Sequence, residues 1–515
     1  MAAVSSYRVG RFWRDRSSFV VLLWALFAAI GCSEVDVDDR EFTIVAYNVE
    51  NLFDLDGVAI FDDYRQDEPQ DIFTYGRLKL LTKLQNTASV LKHVNKGTGP
   101  EIILFQELEA DFTPETSVED FDQFLKDYSA TTVAEMLGAG WRSEYAGLPS
   151  AAWLLKSLSD AGLKGYSIVL APAKPLVSGI AHTNAVFSKF PMVEMEAHPV
   201  PQARDILEVE IDIDGHPLFI YANHWKSGAS DPEREPIRVQ NAAVLRGLID
   251  ARLANDSFAD IVIGGDLNSH YNHSKLYPQI ETGINDVLGS QGDELAIRDS
   301  KTVDLYNLWY ELPPKDRYSD VWRGRRGTLM HLLLARGLYD QSGIRYIDGS
   351  FDKLVLPGLN ADALGRPLAW NFVGATGGGV SDHFPVAARF SIGEGARGAF
   401  IPLKNPSNGR DALDFEMPLG FVSGMQLDLM DGAFLSNIDD SALGPYVDKL
   451  YAVDARVLKT RSIRLEVAGL EWDAYAPNKS VYERLRRFKG GKSHRLAVKL
   501  GMWKGQRQFV VEGIL

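Results

Sequence analysis

Cysteine is almost absent. Cys32 is the only one in 515 residues, so the chain forms no internal disulfide and has no thiolate cluster for zinc or iron–sulfur chemistry. Histidine is also scarce, with ten in all. Beyond the N-terminus there is no long uncharged run, which argues against a helical membrane domain. Internal repeats and low-complexity tracts are missing too, which excludes solenoid and fibrous architectures. Positive charge is in deficit. The formal net charge is −15, so the chain as a whole repels polyanions unless cations intervene.

The first 32 residues differ in kind. Four arginines, Arg8, Arg11, Arg14 and Arg16, precede the uncharged stretch "FVVLLWALFAAI", residues 19–30, followed by Gly31 and Cys32. A basic start, a short apolar run and a small residue before the cut describe an export signal. The run is shorter than the roughly 20 residues a spanning helix needs. "AAIGC" resembles a bacterial lipobox, which implies lipidation at Cys32 and a membrane-held lipoprotein of the cell envelope facing periplasm or exterior. Ala29 departs from the more usual Leu, and an uncleaved apolar anchor is the alternative. Residues 33–41 are acidic and read as a tether.

What is present in quantity is apolar patterning, with 45% of residues hydrophobic, enough for more than one domain. From Phe42 onward, strand-like and helix-like segments are mixed, as in "FTIVAYNV", "RLKLLTKLQNTASVLKHV" and "EIILFQEL". "DILEVEIDIDGHPLFIYANHW" reads as a hairpin around Asp214-Gly215. Hairpins with helices outside predict an α+β body over 42–392, closed by the Gly-rich "GEGARGAF". Residues 400–515 are strand-rich and predict a small β domain of OB-like rhythm. Residues 451–515 carry a net charge of +8 against −23 for the rest. There Trp472, Tyr475, Tyr482 and Trp503 mingle with Arg484, Arg486, Arg487, Lys489 and Lys492. Rings among cations suit single-stranded nucleic acid; a support domain with core aromatics explains the same pattern.

Five apolar strands end in polar residues: "AYNVEN", "LFQELE", "YANHWKS", "GGDLNS" and "SDHFPV". One such end is ordinary. Five in one body matter, because strands in a sheet bring their ends together. Asp266 and Asn268, two apart, project to one side of an extended strand. Glu107, Asn48 and Asp382 offer hard oxygen ligands, suited to Mg²⁺, Mn²⁺ or Ca²⁺. His224 and His383 can bind phosphate when charged or move protons when neutral. A cation, a carboxylate, two imidazoles and two amides are what hydrolysis of a phosphate ester requires.

In order and spacing these motifs resemble the endonuclease/exonuclease/phosphatase superfamily, the DNase I-like fold, over residues 42–392. "YNVENLFD", "NHWKSG" and "DRYSDVWRGRRGTLMHLLLARGLYD" look most like its bacterial extracellular nucleases. The resemblance implies a four-layer αββα sandwich and a divalent cation, most often Mg²⁺. It implies that Glu107 is the metal-binding Glu, with Asn48 and Asp382 beside metal and phosphate. It implies that His224, Asp266, Asn268 and His383 are catalytic: Asp266 for the attacking water, Asn268 for the pentavalent phosphorus, His383 as general base or phosphate binder. Lys226 and Arg238 fall where a cation would steer phosphate, or are plain surface charges. The glycines of "GGGVSDHF", residues 377–384, read as a loop that lets substrate approach.

One position departs from the pattern. Where the family's penultimate strand carries an Asp that holds the final His, this chain has Met330, and a thioether accepts no strong hydrogen bond. Asp304, Asp320 or a backbone group is left to take that role, and His331 reads as structural. The leading expectation is an exported, metal-dependent phosphodiester hydrolase acting on nucleic acid. The alternatives are a phosphatase or phospholipid phosphodiesterase, and a weakened member that binds nucleic acid or a protein at the envelope. No protein partner is predictable from the sequence.

Overall fold

A computed structural model describes residues 40–64, 74–299, 303–415, 428–429, 432–488 and 491–515. The leader, Cys32, residues 33–39 of the tether and Lys489 lie outside the described residues. Among the described residues, two seven-stranded sheets form the body. The first holds β1 (Glu41–Leu52), β2 (Ile102–Glu109), β3 (Ser167–Leu170), β4 (His182–Ser188), β14 (Ser342–Tyr346), β15 (Asp352–Lys353) and β16 (Val386–Glu394). The second holds β5 (Met192–His198), β6 (Ile206–Ile213), β7 (His216–His224), β8 (Ile261–Asp266), β9 (Ser290–Gln291), β10 (Leu305–Asn307) and β13 (Met330–Leu334). Between them lies the two-stranded hairpin of β11 (Asp320–Trp322) and β12 (Arg325–Gly327).

The strands read as near-continuous apolar runs because both faces of each sheet are covered. Alternate residues of β1 divide between two cores. Phe42, Ile44 and Ala46 pack against Leu207, Val209, Leu218 and Ile220 of the opposite sheet. Val45, Tyr47 and Val49 pack outward under the helices Arg77–Leu91 and Ser150–Asp160, with Leu80, Leu84 and Trp153. On the far side, helix Glu235–Asn255 starts with Pro236 in its first turn, a position where the missing N–H costs nothing. It buries Ala242, Leu245 and Ile249 over Tyr221 and Ile263. The order is therefore helices, sheet, sheet, helices, as the resemblance implies.

The chain stays on this body past residue 392. Gln341 N donates to Ala399 O at 2.8 Å, Ile401 N to Tyr339 O at 2.9 Å, and Arg326 N to Phe415 O at 2.7 Å. The last strands are β17 (Asp428–Leu429), β18 (Leu450–Lys459), β19 (Arg464–Val467), β20 (Leu470–Tyr475), β21 (Ser493–Trp503) and β22 (Gln506–Ile514). They pair in the order β17-β18-β19-β20-β22-β21, and β18 also pairs with β21, so the sheet closes into a small barrel. Trp472 belongs to its core, stacked on Phe509 at 4.3 Å between centroids, so the expected ring platform loses that member. Tyr482 also packs against this core, while Tyr475 and Trp503 are exposed.

The glycine run 377–379 also turns out differently. Gly377 and Gly379 take positive φ values of 63° and 76° and press on Asn371 and Ala369 carbonyls, while Gly378 lies against Gly444 at the start of the barrel. These glycines permit backbone-to-backbone packing between body and barrel; they do not form a substrate entrance.

Candidate active site

The parallel pairs β1–β2 and β7–β8 bring Asn48 beside Gln106 and His224 beside Asp266. Met330, at the start of antiparallel β13, pairs with Asp266. Polar strand ends thus converge at one end of the sandwich. The backbone there is unusual: Glu50, Asn51, Glu107 and Asn268 all have positive φ, between 47° and 65°. Glu107 sits where the β2–β4 register shifts, a bulge that re-aims its side chain. Strained residues of this sort cluster at functional sites.

Asn48 ties the cluster together. Its Nδ2 donates to Glu107 Oε1 at 3.1 Å and to Asp266 Oδ2 at 3.0 Å, and its Oδ1 accepts from Glu50 N at 2.9 Å. Asp266 Oδ1 accepts from Asn268 N at 2.9 Å, and Asn268 Nδ2 donates to Trp225 O at 3.1 Å. His224 Nε2 lies 3.7 Å from both Glu107 and Asp266. His383 Nε2 lies 3.8 Å from Asp266 and 3.6 Å from Asp382. Ser381 Oγ donates to Asn48 O at 2.7 Å and accepts from His383 N at 3.0 Å, which locks the last loop to the first strand. Asn48, Glu107, His224, Asp266, Asn268, Asp382 and His383 are therefore brought together.

The two imidazoles are driven apart in charge. Burial, then the charges of Arg204, His182 and His383, hold His224 well below the usual imidazole range, so it is neutral. Burial would also lower His383, but Asp382, Asp266, Asp320 and Glu107 lift it to about 9. Asp266 is raised by burial against the pull of His383, and Glu107 by burial and Asp382. Titratable groups with opposed environments mark acid and base roles.

Lys226 is half-buried, and burial followed by Arg234 and Arg204 lowers its ammonium. Arg238 is a correction. It is fully buried and ion-paired with Glu235 at 2.6 Å, three residues earlier on the helix, and donates to Lys226 O at 3.2 Å. Its charge is spent inside the fold. His331 is structural as expected, bonded to Ser269 O at 2.8 Å and Asn307 Nδ2 at 3.2 Å.

Two residues escaped the sequence. Lys83, fully buried, donates to Glu50 O at 2.8 Å and Val380 O at 2.6 Å, and burial lowers it to about 8 against Glu50, Asp382 and Glu107. Arg204 reaches His182 Nδ1 at 3.1 Å within range of the Glu107 and Asp266 charges. Of the candidates that the sequence left for the role vacated at Met330, Asp320 is the one beside His383. Asp304 bonds Gln291 instead, at 2.6 Å. Asp320 forms a backbone bridge with His383 and is 8% exposed. Its Oδ1 accepts from Ser319 Oγ at 3.1 Å and Leu329 N at 3.3 Å. Burial raises it to about 6 against the pull of His383. Its partner across the hairpin is Gly327, where any Cβ would overlap the carboxylate. Asp320 thus places negative charge beside His383 without bonding it; His383 Nδ1 is buried with no hydrogen-bond partner.

The sequence model of the endonuclease/exonuclease/phosphatase family matches residues 181–391, which carry His224, Asp266, Asn268, Asp382 and His383. The match ties those residues, rather than the whole chain, to that family. The chain is a hydrolase acting on phosphate ester bonds, and residues 41–415 form an α+β sandwich. Curated proteins give no match. Among solved structures, a family protein from Leptotrichia buccalis is 12% identical and covers 67% of this chain and 98% of its own, with a TM-score of 0.38. One from Bacteroides thetaiotaomicron is 12% identical over 69% and 98%, with a TM-score of 0.36. TDP2 from D. rerio, complexed with single-strand DNA product, is 12% identical over 68% and 99%, with a TM-score of 0.35.

Proposed function

We propose that this protein is an exported phosphodiesterase that uses a divalent cation, most simply Mg²⁺, to hydrolyse nucleic acid. The observation that carries the reading is the pair of imidazoles of opposed charge on either side of Asp266. A raised, buried carboxylate such as Asp266 is matched to taking a proton from an attacking water near neutral pH. Charged His383 donates to a phosphoryl oxygen, Asn268 steadies the charge that develops on phosphorus, and neutral His224 hydrogen-bonds the substrate without repelling the cation.

The donors fit a hard cation. Glu107 and Glu50 are both raised, first by burial and then by the charge of Asp382, which places the three carboxylates in one region. Glu107 and Asp382 would hold the ion, leaving other positions to water and substrate, as Mg²⁺ prefers. When bound, the ion offsets phosphate charge and polarises a phosphoryl oxygen. Lys226 and Arg204 stand near enough to guide phosphate inward.

Polymer binding is supported at the rim. Trp322, 66% exposed and under Arg323, tips the hairpin that begins at Asp320, and Gly324 of that hairpin meets Asn478 of the barrel. The barrel supports the OB-like reading: five strands close as first-second-third-fifth-fourth-first, with helix Lys479–Leu485 between third and fourth. Its β21–β22 turn presents Trp503, 64% exposed, with Lys504. Export and lipidation at Cys32 complete the proposal; Cys32→Ser should move the protein from the membrane to the soluble fraction.

The test incubates the protein with plasmid, single-stranded DNA, RNA and a generic phosphodiester in Mg²⁺, Mn²⁺ or EDTA. Cleavage of polymer that stops in EDTA is expected. Turnover confined to phosphomonoesters would replace the nuclease reading with a phosphatase, and binding without turnover would mark an inactive member.

A further inference from the structure

A second group of acids lies away from the catalytic cluster. Tyr306 pairs with Leu334, at the end of β13 opposite Met330. Around Tyr306 stand Glu294 from helix Glu294–Asp299, Glu311 beyond β10, and Asp348 beyond β14. One ligand oxygen from each of the three acids lies within 4.8 Å of the others. Glu294 is fully buried and the other two are half-buried. Carboxylates this close, in a low-dielectric site, repel one another unless something compensates.

Protein groups compensate only in part. Glu294 accepts from Tyr339 OH at 3.1 Å and Ser407 N at 3.1 Å, Glu311 from Tyr346 OH at 2.7 Å, and Asp348 from Lys404 N at 2.6 Å. No ion pair reaches any of the three among the described residues. Arg298, whose charge is felt at Glu294, is bound to Asp299 at 2.6 Å. The contrast is the triad Glu196, His198 and Glu208, where Arg252 lies 2.9 Å from Glu208 and neutralises it.

An independent feature points into the group. The Tyr306 hydroxyl is fully buried and makes no close hydrogen bond; its polar neighbours are the Ser407 hydroxyl and the charges of Glu294, Glu311 and Asp348. The free Tyr306 oxygen thus stands among the three acids. Burial, then the charges of its two neighbours, lifts Glu311 to about 8, and burial lifts Glu294 to about 7.

We propose that Glu294, Glu311, Asp348 and the Tyr306 hydroxyl form a structural site for a hard divalent cation of the Ca²⁺ class. All donors are oxygens, and the half-exposed edge at Glu311 and Asp348 admits the waters that complete six to eight ligands. The ion would clamp the two sheets, since Asp348 follows β14 of the first and Tyr306 lies in β10 of the second. It would also fix the strap at 404–407 through the amides of Lys404 and Ser407. The site is independent of the hydrolase reading.

Thermal unfolding of the whole protein in Ca²⁺ and in EDTA tests this, with Tb³⁺ emission sensitised by Tyr306, Tyr339 and Tyr346 as the direct readout. Free Ca²⁺ at about 100 times Kd should raise Tm by about 3 °C. Both signals should fall in Asp348→Asn and in Glu311→Gln, and persist in Glu107→Gln. Asp348→Asn, at a half-exposed position, guards against a loss caused by misfolding alone. The proposal is overturned if wild type shows neither signal, if both persist in the two variants, or if they vanish in Glu107→Gln.

Discussion

Introducing Met330→Asp restores the carboxylate that the family pattern expects, yet in this chain it should do harm. Met330 is fully buried and pairs across the strand with Asp266. The amide of the preceding residue, Leu329, already donates to the Asp320 carboxylate at 3.3 Å. A new carboxylate at 330 would therefore sit roughly 5 Å from that of Asp320, as cross-strand and adjacent side chains do. Two like charges at about 5 Å, with an effective dielectric of about 20, repel by about 3 kcal/mol. Urea denaturation should show Met330→Asp losing at least that much, with no gain in phosphodiester turnover. Asp320→Asn alone should lower kcat about tenfold, because it removes one of the charges that keep His383 protonated. The double variant, which moves the charge from 320 to 330, should recover about 3 kcal/mol over Met330→Asp and part of the lost turnover. Asp320 does not fill the vacated role if Met330→Asp is as stable as wild type, or if the double variant is no better than the sum of the singles.

Gly327→Ala should displace the Asp320 carboxylate and mimic Asp320→Asn in kcat, while Gly247→Ala, in open space, leaves kcat unchanged. Arg238→Met leaves Glu235 buried with only His273 and Gly283 N beside its carboxylate, which costs about 3 kcal/mol in stability; KM should hold, since Arg238 does not face substrate. Asp260 is buried and raised to about 8. The folded carboxyl keeps its proton where the unfolded one has lost it, so stability falls as pH rises from about 4 to 8. Asp260→Asn should flatten that slope in denaturation curves measured at several pH values.

The catalytic cluster was legible because each piece ends an apolar strand, and strand ends in one sheet must meet. The helices 77–91 and 235–255 were legible from their apolar spacing. What escaped depends on contacts across long separations. Lys83 looks like any charge on an amphipathic helix until the loop at Val380 closes over it. Asp320 was one of several candidates for the Met330 role, and only the backbone bridge beside His383 singles it out. Arg238 was legible in principle, because Glu235 lies one helical turn before it, but its burial depends on the loop bringing Gly283 N to Glu235 at 2.8 Å. Trp472 follows the same rule: strand alternation does not say which face a closing barrel turns inward.

The central claim is that Asp266, between a neutral and a charged imidazole, drives phosphodiester hydrolysis. The direct measurement compares single-turnover cleavage of one phosphodiester by wild type and Asp266→Asn at matched folded fraction, in saturating Mg²⁺. The account predicts a rate loss of roughly 10³-fold or more with substrate binding retained. A rate within about tenfold of wild type would contradict it.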